Sequence, residues 1–349
     1  MTPSSNLEIA TAMQNSTMDT INKGWTCTPS DYESPGMVAF TVIKTLITII
    51  GLLSNLTTFT TLALHSKGFT KVNRLLLQHQ AIADTGVCIM GIVYYTQSGV
   101  WMTDDSTFNF LVCQFWHTTY IYWAGAMLSV WNVVFITLER FILINYPLKH
   151  RNIRPSHINL GFALIYVWVI VSMGPAFTLR RYDVDKMECL DELLFDSKEL
   201  RDLIMSFATV FFFVIYGIPI VIFAALYSKT LLTLRQKREA NQESIILKKA
   251  DEQMTRTVIA VAVVFIISIS WDAWGSILGY AGLFCYMPHY PASDIGVFMA
   301  ALNSCANPFI YALFLPAFRR SLQRTFRCGR SNNARDQSMM NTESFIHQK

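Results

Sequence analysis

Charged residues are scarce in this chain of 349 residues: they make up 15% of the sequence, whereas 52% is hydrophobic, and the mean hydropathy is positive. A soluble domain normally carries about 25% charged residues, so the composition indicates a membrane protein. The sequence also lacks a metal-ligand spacing, a phosphate-binding loop or a nucleophile motif that rises above chance. An enzyme is therefore not expected.

Short segments of alternating hydrophobicity, which a membrane β-barrel requires, are also missing. Seven apolar runs occur instead, each long enough to cross about 30 Å of hydrocarbon as an α-helix. They predict an all-α membrane protein, a bundle of seven transmembrane helices. We name them spans one to seven, at approximately residues 38 to 64, 75 to 100, 110 to 138, 158 to 179, 203 to 232, 257 to 282 and 294 to 315.

Lysine and arginine are distributed unevenly between the two sides of such a bundle. With a cytoplasmic C-terminus, 21 of the 28 Lys and Arg residues lie inside, counting Arg140, and 7 lie outside, counting Lys44. Basic residues favour the cytoplasmic side, so residues 1–35 are expected to form an extracellular tail, without a cleavable signal peptide. Basic inner loops suit anionic lipid and an acidic protein partner rather than nucleic acid.

Cysteines and one sequon predict covalent features on the outer side. Cys113 and Cys189 lie there, in an oxidising environment, and are expected to form a disulfide; Cys27 and Cys285 offer a second pair. Asn15 begins a glycosylation sequon, which is either used or a chance match.

Polar side chains inside the spans are costly. Asp84 in span two needs either a helix-packing hydrogen bond or a function. At the inner end of span three, Glu139 and Arg140 mark the membrane boundary or a switch near it. Other polar residues share one helix face at whole-turn spacing: Tyr122, Ser129 and Arg140 in span three, and Asn303, Asn307 and Tyr311 in span seven.

A short amphipathic helix is predicted after span seven, at residues 316–328. Phe318, Leu322 and Phe326 recur every four positions, and arginines fill the other face, as in a basic helix lying on the membrane surface. Cys328 at its end is either palmitoylated or a free thiol. Residues 329–349 then form a cytoplasmic tail.

Together these residues resemble the rhodopsin-like (class A) G-protein-coupled receptors, in the peptide-receptor or opsin-like branch. The resemblance covers residues 36–315, as the receptor domain, and the short eighth helix. Each motif alone is weak, but their order on seven spans is specific. The matching residues are Asn55, Ala83-Asp84, Cys113, Glu139-Arg140-Phe141, Pro147-Leu148, Trp168, Cys189, Pro219, Tyr227, Asn307-Pro308-Phe309-Ile310-Tyr311 and Phe318.

The resemblance implies a plasma-membrane receptor that activates a heterotrimeric G protein, with arrestin and receptor kinases as further partners. The implied coupling and switch residues are Glu139, Arg140, Tyr227, Asn307, Pro308 and Tyr311. The implied allosteric sodium pocket is lined by Asp84, Ser129, Asn303, Ser304 and Asn307. Arg140 would act as a lock at the inner end of the bundle. Asp251 or Glu252 could pair with Arg140 across the inner face; the alternative is that they lie on an ordinary solvated face.

Two departures from the family pattern concern spans three and six. Cys113 lies 27 residues before Arg140, two more than the usual interval, which predicts an extended or irregular start of span three. In span six, either Phe265 aligns with the family and Ile269 replaces its tryptophan, or Trp271 aligns and Phe265 does not. Neither alignment supplies the usual proline.

The candidate ligand pocket contains Tyr122, Asp272 and Val297. Amine receptors carry aspartate where Tyr122 stands, and opsins carry the retinal-binding lysine where Ala301 stands, so neither a monoamine nor a retinal Schiff base is expected. Asp272 lies two turns after Phe265 and either binds a cationic ligand group or is solvated. The long, acidic second outer loop is likewise either a lid or a solvated loop.

A basic peptide is the expected ligand. The alternatives are a small-molecule receptor and an orphan or constitutively active, opsin-related receptor. A transporter would also use Asp84, but internal repeats are not found.

Overall fold

A computed structural model describes residues 30–65, 68–96, 103–117, 119–174, 180–184, 188–191, 206, 209–239, 245–280, 283–286 and 290–327. Seven helices in this part are long and apolar enough to cross a membrane, which confirms the predicted seven-helix architecture. Asn15, Cys27 and Cys328 lie outside the described residues, so their modification or pairing stays a prediction.

The helices are α1 (Pro35–Leu64), α2 (Lys71–Thr96), α3 (Ser106–Leu111), α4 (Tyr120–Asn145), α5 (Pro147–His150), α6 (Pro155–Met173), α7 (Ile218–Glu239), α8 (Ile245–Tyr280), α9 (Pro291–Phe314) and α10 (Pro316–Arg327). Spans one, two, four, five, six and seven contain α1, α2, α6, α7, α8 and α9, and span three contains α3 and α4. Helix α4 contacts α2, α6, α7, α8 and α9. Span three is therefore the central element of the bundle.

The outer end of span three departs from a regular α-helix. A π-helical turn occupies Val112–His117, and Thr119 follows with φ = 52°, in the left-handed region that β-branched residues rarely adopt. Cys113 lies in the π turn and is disulfide-bonded to Cys189, with 5.6 Å between their Cα atoms. This irregular segment accommodates the long interval between Cys113 and Arg140, so both the disulfide and the predicted irregularity are confirmed.

The second outer loop contains a β-hairpin that is anchored to span three. Its strands, β1 (Arg180–Asp183) and β2 (Glu188–Asp191), are antiparallel and place Tyr182 opposite Cys189. Besides the disulfide, Asn109 Nδ2 donates a hydrogen bond of 2.9 Å to Tyr182 Oη. Two independent contacts therefore hold the hairpin over the outer end of the bundle.

Span five contains a second π-helical turn, Phe213–Gly217, directly before Ile218 and Pro219. A proline lacks an N–H donor, and its ring collides with the carbonyl group four residues earlier in a regular α-helix. Wider π turns are a known means of relieving such a conflict. The distortion associated with Pro219 therefore lies on its N-terminal side.

The face that span six turns to the core is now defined. Phe265 and Ile269 are buried, whereas Trp271 and Trp274 are 42% and 51% exposed on the protein's outer surface. The alignment that points Trp271 into the core is therefore wrong, and Ile269 stands where the family places tryptophan. Sequence alone left both alignments open because span six is apolar on every side.

The eighth helix, α10, has the predicted amphipathic character. Phe318 is buried and its ring lies edge-on to Tyr311, with 6.1 Å between ring centroids, whereas Phe326 is exposed. Thr325 Oγ1 donates to Thr61 Oγ1 at 3.2 Å, which links α10 to the inner end of α1. The helix is thus held to the bundle near both ends, while Phe326 faces the surroundings.

Candidate functional site

The inner end of span three carries a buried cluster of charge. Glu139 and Arg140 are 2% and 5% exposed. Arg140 Nε lies 2.9 Å from Glu139 Oε2, and His150 Nε2 lies 2.6 Å from Glu139 Oε1. The Arg140 guanidinium also donates to Asn73 Oδ1 at the start of α2. These contacts fix Arg140 between spans two and three.

Asn73 and His150 were not among the predicted coupling residues. His150 lies in the loop helix α5, eleven residues beyond Glu139, and no helical periodicity relates two residues in different elements. The side chains of Asp251 and Glu252 lie outside the described structure, so their pairing with Arg140 stays a prediction.

The predicted switch tyrosines lie above and beside this cluster. Tyr227 Oη is 3.2 Å from Thr137 Oγ1, about one turn above Arg140. Tyr311 is buried, and a small cavity of about 20 Å³ lies between it and Arg140, enough for one water molecule. Spans three, five and seven therefore each bring a predicted switch residue to the inner half of the bundle.

In the middle of the membrane, Asp84 is the centre of a buried hydrogen-bond network. Ser129 Oγ donates to Asp84 Oδ1 at 2.6 Å, and Asn307 Nδ2 donates to Asp84 Oδ2 at 2.8 Å. Gln80 Nε2 adds contacts of 3.2 and 3.1 Å to the two carboxylate oxygens. The structure thus brings together Asp84, Ser129 and Asn307, three of the five residues of the implied sodium pocket.

The other two members, Asn303 and Ser304, are buried in span seven beside this network. The backbone carbonyl of Ser304 accepts a hydrogen bond of 3.0 Å from Asn55 Nδ2 in span one. Within the described part of the chain, Ser304 Oγ has no hydrogen-bond partner of ordinary geometry. Asn55 therefore ties span one to span seven through the backbone rather than through these side chains.

Gln80 and Asn132 are members of this network that sequence reasoning missed. Gln80 Nε2 donates to Ser129 Oγ at 2.7 Å, and Asn132 Nδ2 donates to Gln80 Oε1 at 2.7 Å. A signal was available, because Gln80 precedes Asp84 by four residues and Asn132 follows Ser129 by three. Both spacings place an amide on the same helix face as a predicted site residue.

At the outer end of span six, Asp272 is 5% exposed and accepts a hydrogen bond of 2.5 Å from Tyr286 Oη. In the described residues no Lys, Arg or His lies within ion-pair distance of it. The alternative of a solvated Asp272 is therefore wrong. A buried carboxylate with a hydroxyl donor but no cationic partner is unusual, since such groups are normally paired.

Tyr286 reaches Asp272 through a slot formed by three glycines, Gly275 and Gly279 in span six and Gly296 in span seven. A Cβ atom at any of them would overlap Tyr286, mostly its ring or hydroxyl. Their spacing therefore makes room for one side chain from the third outer loop. The disulfide-bonded Cys285 directly precedes Tyr286; its predicted partner, Cys27, lies outside the described residues.

The other two predicted pocket residues contact each other. Tyr122 Oη donates a hydrogen bond of 2.6 Å to the backbone carbonyl of Val297. Gly296, next to Val297, is also the residue whose added Cβ would lie 3.2 Å from Asp272 Oδ1. Tyr122, Val297 and Asp272 thus converge on one turn of span seven.

A second outer cluster, centred on the buried Asp294, joins the N-terminal segment to span seven. Ser30 Oγ and Tyr32 Oη donate to the Asp294 carboxylate at 2.7 Å and 3.0 Å. Burial and the neighbouring Asp294 carboxylate raise the pKa of the Tyr32 phenol well above its usual range, so Tyr32 stays protonated and can donate. Nearby in span one, Lys44 is 3% exposed and its ammonium lies 4.6 Å from the centroid of the Tyr95 ring, a cation–π contact.

Comparison with known proteins agrees with this geometry. The sequence profile of the family described as 7 transmembrane receptor (rhodopsin family) matches residues 54–311. The rhodopsin of Petromyzon marinus is 25% identical over 291 residues, 81% of this chain and 79% of that protein. Galanin receptor 2a of Danio rerio is 23% identical over 305 residues, 84% and 80% of the two chains.

The blue-sensitive opsin of Gallus gallus is 27% identical over 218 residues, 59% of this chain and 57% of that protein. The relatives thus include both opsins and a receptor named for galanin. The matched profile begins inside α1 and ends inside α9, so it covers the bundle that holds the inner, middle and outer clusters. The chain belongs to the rhodopsin family of seven-transmembrane, G-protein-coupled receptors.

Proposed function

We propose that this receptor lies in the plasma membrane with its N-terminus outside and responds to a basic extracellular peptide. An Arg, a Lys or the amino terminus of the peptide pairs with Asp272. We base this on the environment of Asp272. It is a buried carboxylate, and its only hydrogen-bond partner in the described residues is the neutral Tyr286 hydroxyl. A cationic group gives a stronger hydrogen bond to a carboxylate than a neutral hydroxyl does.

The charge of the second outer loop supports a cationic ligand. Residues 180–202 contain eight acidic and five basic residues, so the loop is net negative. A negatively charged surface attracts cationic ligands before they make contact. The hairpin at the start of this loop is held by Cys189 and Tyr182. Its anchored position makes it a suitable lid, although most of the acidic residues lie outside the described structure.

A series of contacts runs from span six toward the inner cluster and begins two turns below Asp272. Phe265 lies two turns below Asp272 on the same face of span six, and its ring is 5.7 Å from the ring centroid of Phe223. Phe223 stacks on Tyr227 at 6.1 Å, and Tyr227 contacts Thr137. A ligand that moves the outer part of span six would therefore act on span five and, through it, on span three.

The mechanism is a shift between two packings of the bundle. In the described packing the Arg140–Glu139 pair is formed, and Tyr286 bonds Asp272. A ligand favours the second packing only to the extent that it binds that packing more tightly. Pairing of a ligand cation with Asp272 supplies such a difference, because it replaces the Tyr286 contact.

We expect Asp272→Asn to weaken the response to a cationic peptide by at least about 30-fold, the factor that corresponds to roughly 2 kcal/mol for one lost partner of a buried charge pair. The measurement is G-protein activation in cells across a library of basic and amidated peptides. Asp104→Asn, an exposed outer carboxylate, is the matched control. A peptide that activates the wild type and Asp272→Asn equally would contradict the proposal.

We expect Tyr286→Phe to raise ligand-free G-protein activation by up to about tenfold. The change removes the hydrogen bond to Asp272 but keeps the ring in its slot, which destabilises the described packing by about 1.5 kcal/mol. Tyr290→Phe is the control, because Tyr290 makes no contact with Asp272 among the described residues. Unchanged basal activity in a normally expressed Tyr286→Phe variant would show that this contact does not restrain span six.

The similarity to rhodopsins favours a second candidate, an opsin-related receptor that is constitutively active and binds no peptide. This candidate predicts high ligand-free activation in the wild type and no response to any peptide in the library. The basic-peptide proposal predicts low basal activity and a response that depends on Asp272. The same cell assay therefore separates the two.

A further inference from the structure

The network around Asp84 bears on whether this receptor binds sodium. The family resemblance implies a sodium ion held by Asp84 and its neighbours, and hard cations are coordinated by oxygen atoms. The hydrogen bonds of ordinary geometry that the Asp84 carboxylate accepts here come from two amide N–H groups and one hydroxyl. They come from Asn307, Gln80 and Ser129.

The Gln80 amide lies between Asp84 and Ser129, two residues of the implied sodium pocket. Its Nε2 atom lies 3.2 and 3.1 Å from the two Asp84 oxygens and 2.7 Å from Ser129 Oγ. One amide group therefore bridges Asp84 and Ser129. The partial positive charge of its hydrogens opposes a cation at the same point.

The orientation of the Gln80 amide is fixed from its other side. Asn132 Nδ2 donates a hydrogen bond of 2.7 Å to Gln80 Oε1, and it also lies 3.4 Å from the Leu76 carbonyl oxygen. To turn its oxygen toward Asp84, Gln80 would have to give up the bond from Asn132 and place an acceptor against a carboxylate. Both side chains are buried, so water cannot replace the lost partners without cost.

We propose that the Gln80 carboxamide stands in for the sodium ion, so that the wild-type receptor is insensitive to sodium. The partly positive N–H hydrogens of Gln80 then partly offset the charge of Asp84, and its hydrogen bonds to Ser129 and Asn132 join spans two and three. The inference concerns the residues of this chain alone and does not depend on the proposed ligand.

The same geometry indicates what Gln80 excludes. Asn307 Oδ1 is a buried oxygen without a hydrogen-bond partner in the described part of the chain, and the buried Ser304 Oγ has no partner of ordinary geometry there. With the amide removed, Asp84, Ser129, Ser304 and Asn307 leave several oxygen atoms around one space. Gln80→Leu is therefore expected to create a sodium site.

The test is thermal unfolding of the purified full-length receptor in NaCl, KCl and choline chloride at equal concentration. The wild type should unfold at the same temperature in all three salts. Gln80→Leu should unfold about 2–4 °C higher in NaCl than in the other two, the scale of stabilisation by a bound ligand well above its dissociation constant. Adding Asp84→Asn to Gln80→Leu should remove that rise.

A rise specific to NaCl in the wild type would overturn the proposal, because it would mean that the pocket accepts sodium beside Gln80. A folded Gln80→Leu variant that shows no such rise would overturn it as well, because something other than Gln80 would then exclude the ion. Should Gln80→Leu not fold, Asn132→Leu serves in its place. That change frees Gln80 to turn its oxygen toward Asp84, and the same rise in NaCl is expected.

Discussion

Arg140→Ala is expected to abolish G-protein activation while the receptor still reaches the cell surface. Arg140 is the buried arginine at the inner end of span three, and the family places its G-protein contact there. Removing it does not leave Glu139 without a partner, because His150 Nε2 lies 2.6 Å from the other carboxylate oxygen. The fold should therefore survive a change that removes coupling.

The measurement pairs surface labelling of intact cells with nucleotide exchange on the G protein. We expect surface levels within about twofold of the wild type and exchange reduced at least tenfold, which corresponds to about 1.4 kcal/mol or more. Arg151→Ala, an exposed arginine of the same inner loop, is the control and should keep its activity. Normal exchange in Arg140→Ala would remove both the coupling role and the lock role from this residue.

The second large effect is expected from loss of the outer disulfide. Cys189→Ser releases the β-hairpin and leaves Cys113, which is fully buried in the π turn, as a lone thiol. The cysteines are 76 residues apart, and closing a loop of that size stabilises a folded chain by roughly 4 kcal/mol in the chain-entropy estimate. We expect surface expression and thermal stability to fall severely.

A double-mutant cycle makes this prediction specific. Because the two cysteines act as one bond, Cys113→Ser with Cys189→Ser should lose about as much stability as either single change. Losses that add up would indicate two separate packing defects instead of one broken bond. Normal surface levels in both single variants would show that the Asn109–Tyr182 hydrogen bond alone holds the hairpin.

Seven spans could be predicted because a membrane imposes long apolar runs that are visible in sequence. Their ends shifted by a few residues for local reasons. Span two was predicted to start at 75 but begins at Lys71, since Thr70 Oγ1 accepts a hydrogen bond of 3.1 Å from the Asn73 N–H and starts the helix in a polar turn. Span seven begins at Pro291, whose fixed φ suits the first turn of a helix.

Within the site, the residues that could be predicted are polar side chains in otherwise apolar spans. Asp84, Ser129 and Asn307 were singled out because polar groups in hydrocarbon need partners, and the structure joins them. Gln80 was not predicted because an uncharged glutamine makes a weaker demand for a partner than a carboxylate does. Its position one turn before Asp84 was the available signal, and its contacts show that the shared face is used.

Contacts between distant segments could not be predicted. Nothing local in Tyr286 indicates that it enters a slot between spans six and seven, and the three glycines that admit it are informative only after those spans are placed side by side. His150 poses the same problem at the inner face, because a loop helix brings it back to Glu139. In both cases tertiary packing, not periodicity, decides the partner.

We propose that this receptor couples an outer contact at Asp272 to a G protein through Arg140. The most direct test is nucleotide exchange on a panel of purified heterotrimeric G proteins, catalysed by the purified receptor in its wild-type, Tyr286→Phe and Tyr286→Phe/Arg140→Ala forms. We expect faster exchange on at least one heterotrimer with Tyr286→Phe than with the wild type, and none above background with the double variant. Exchange that is equal in all three forms would contradict it.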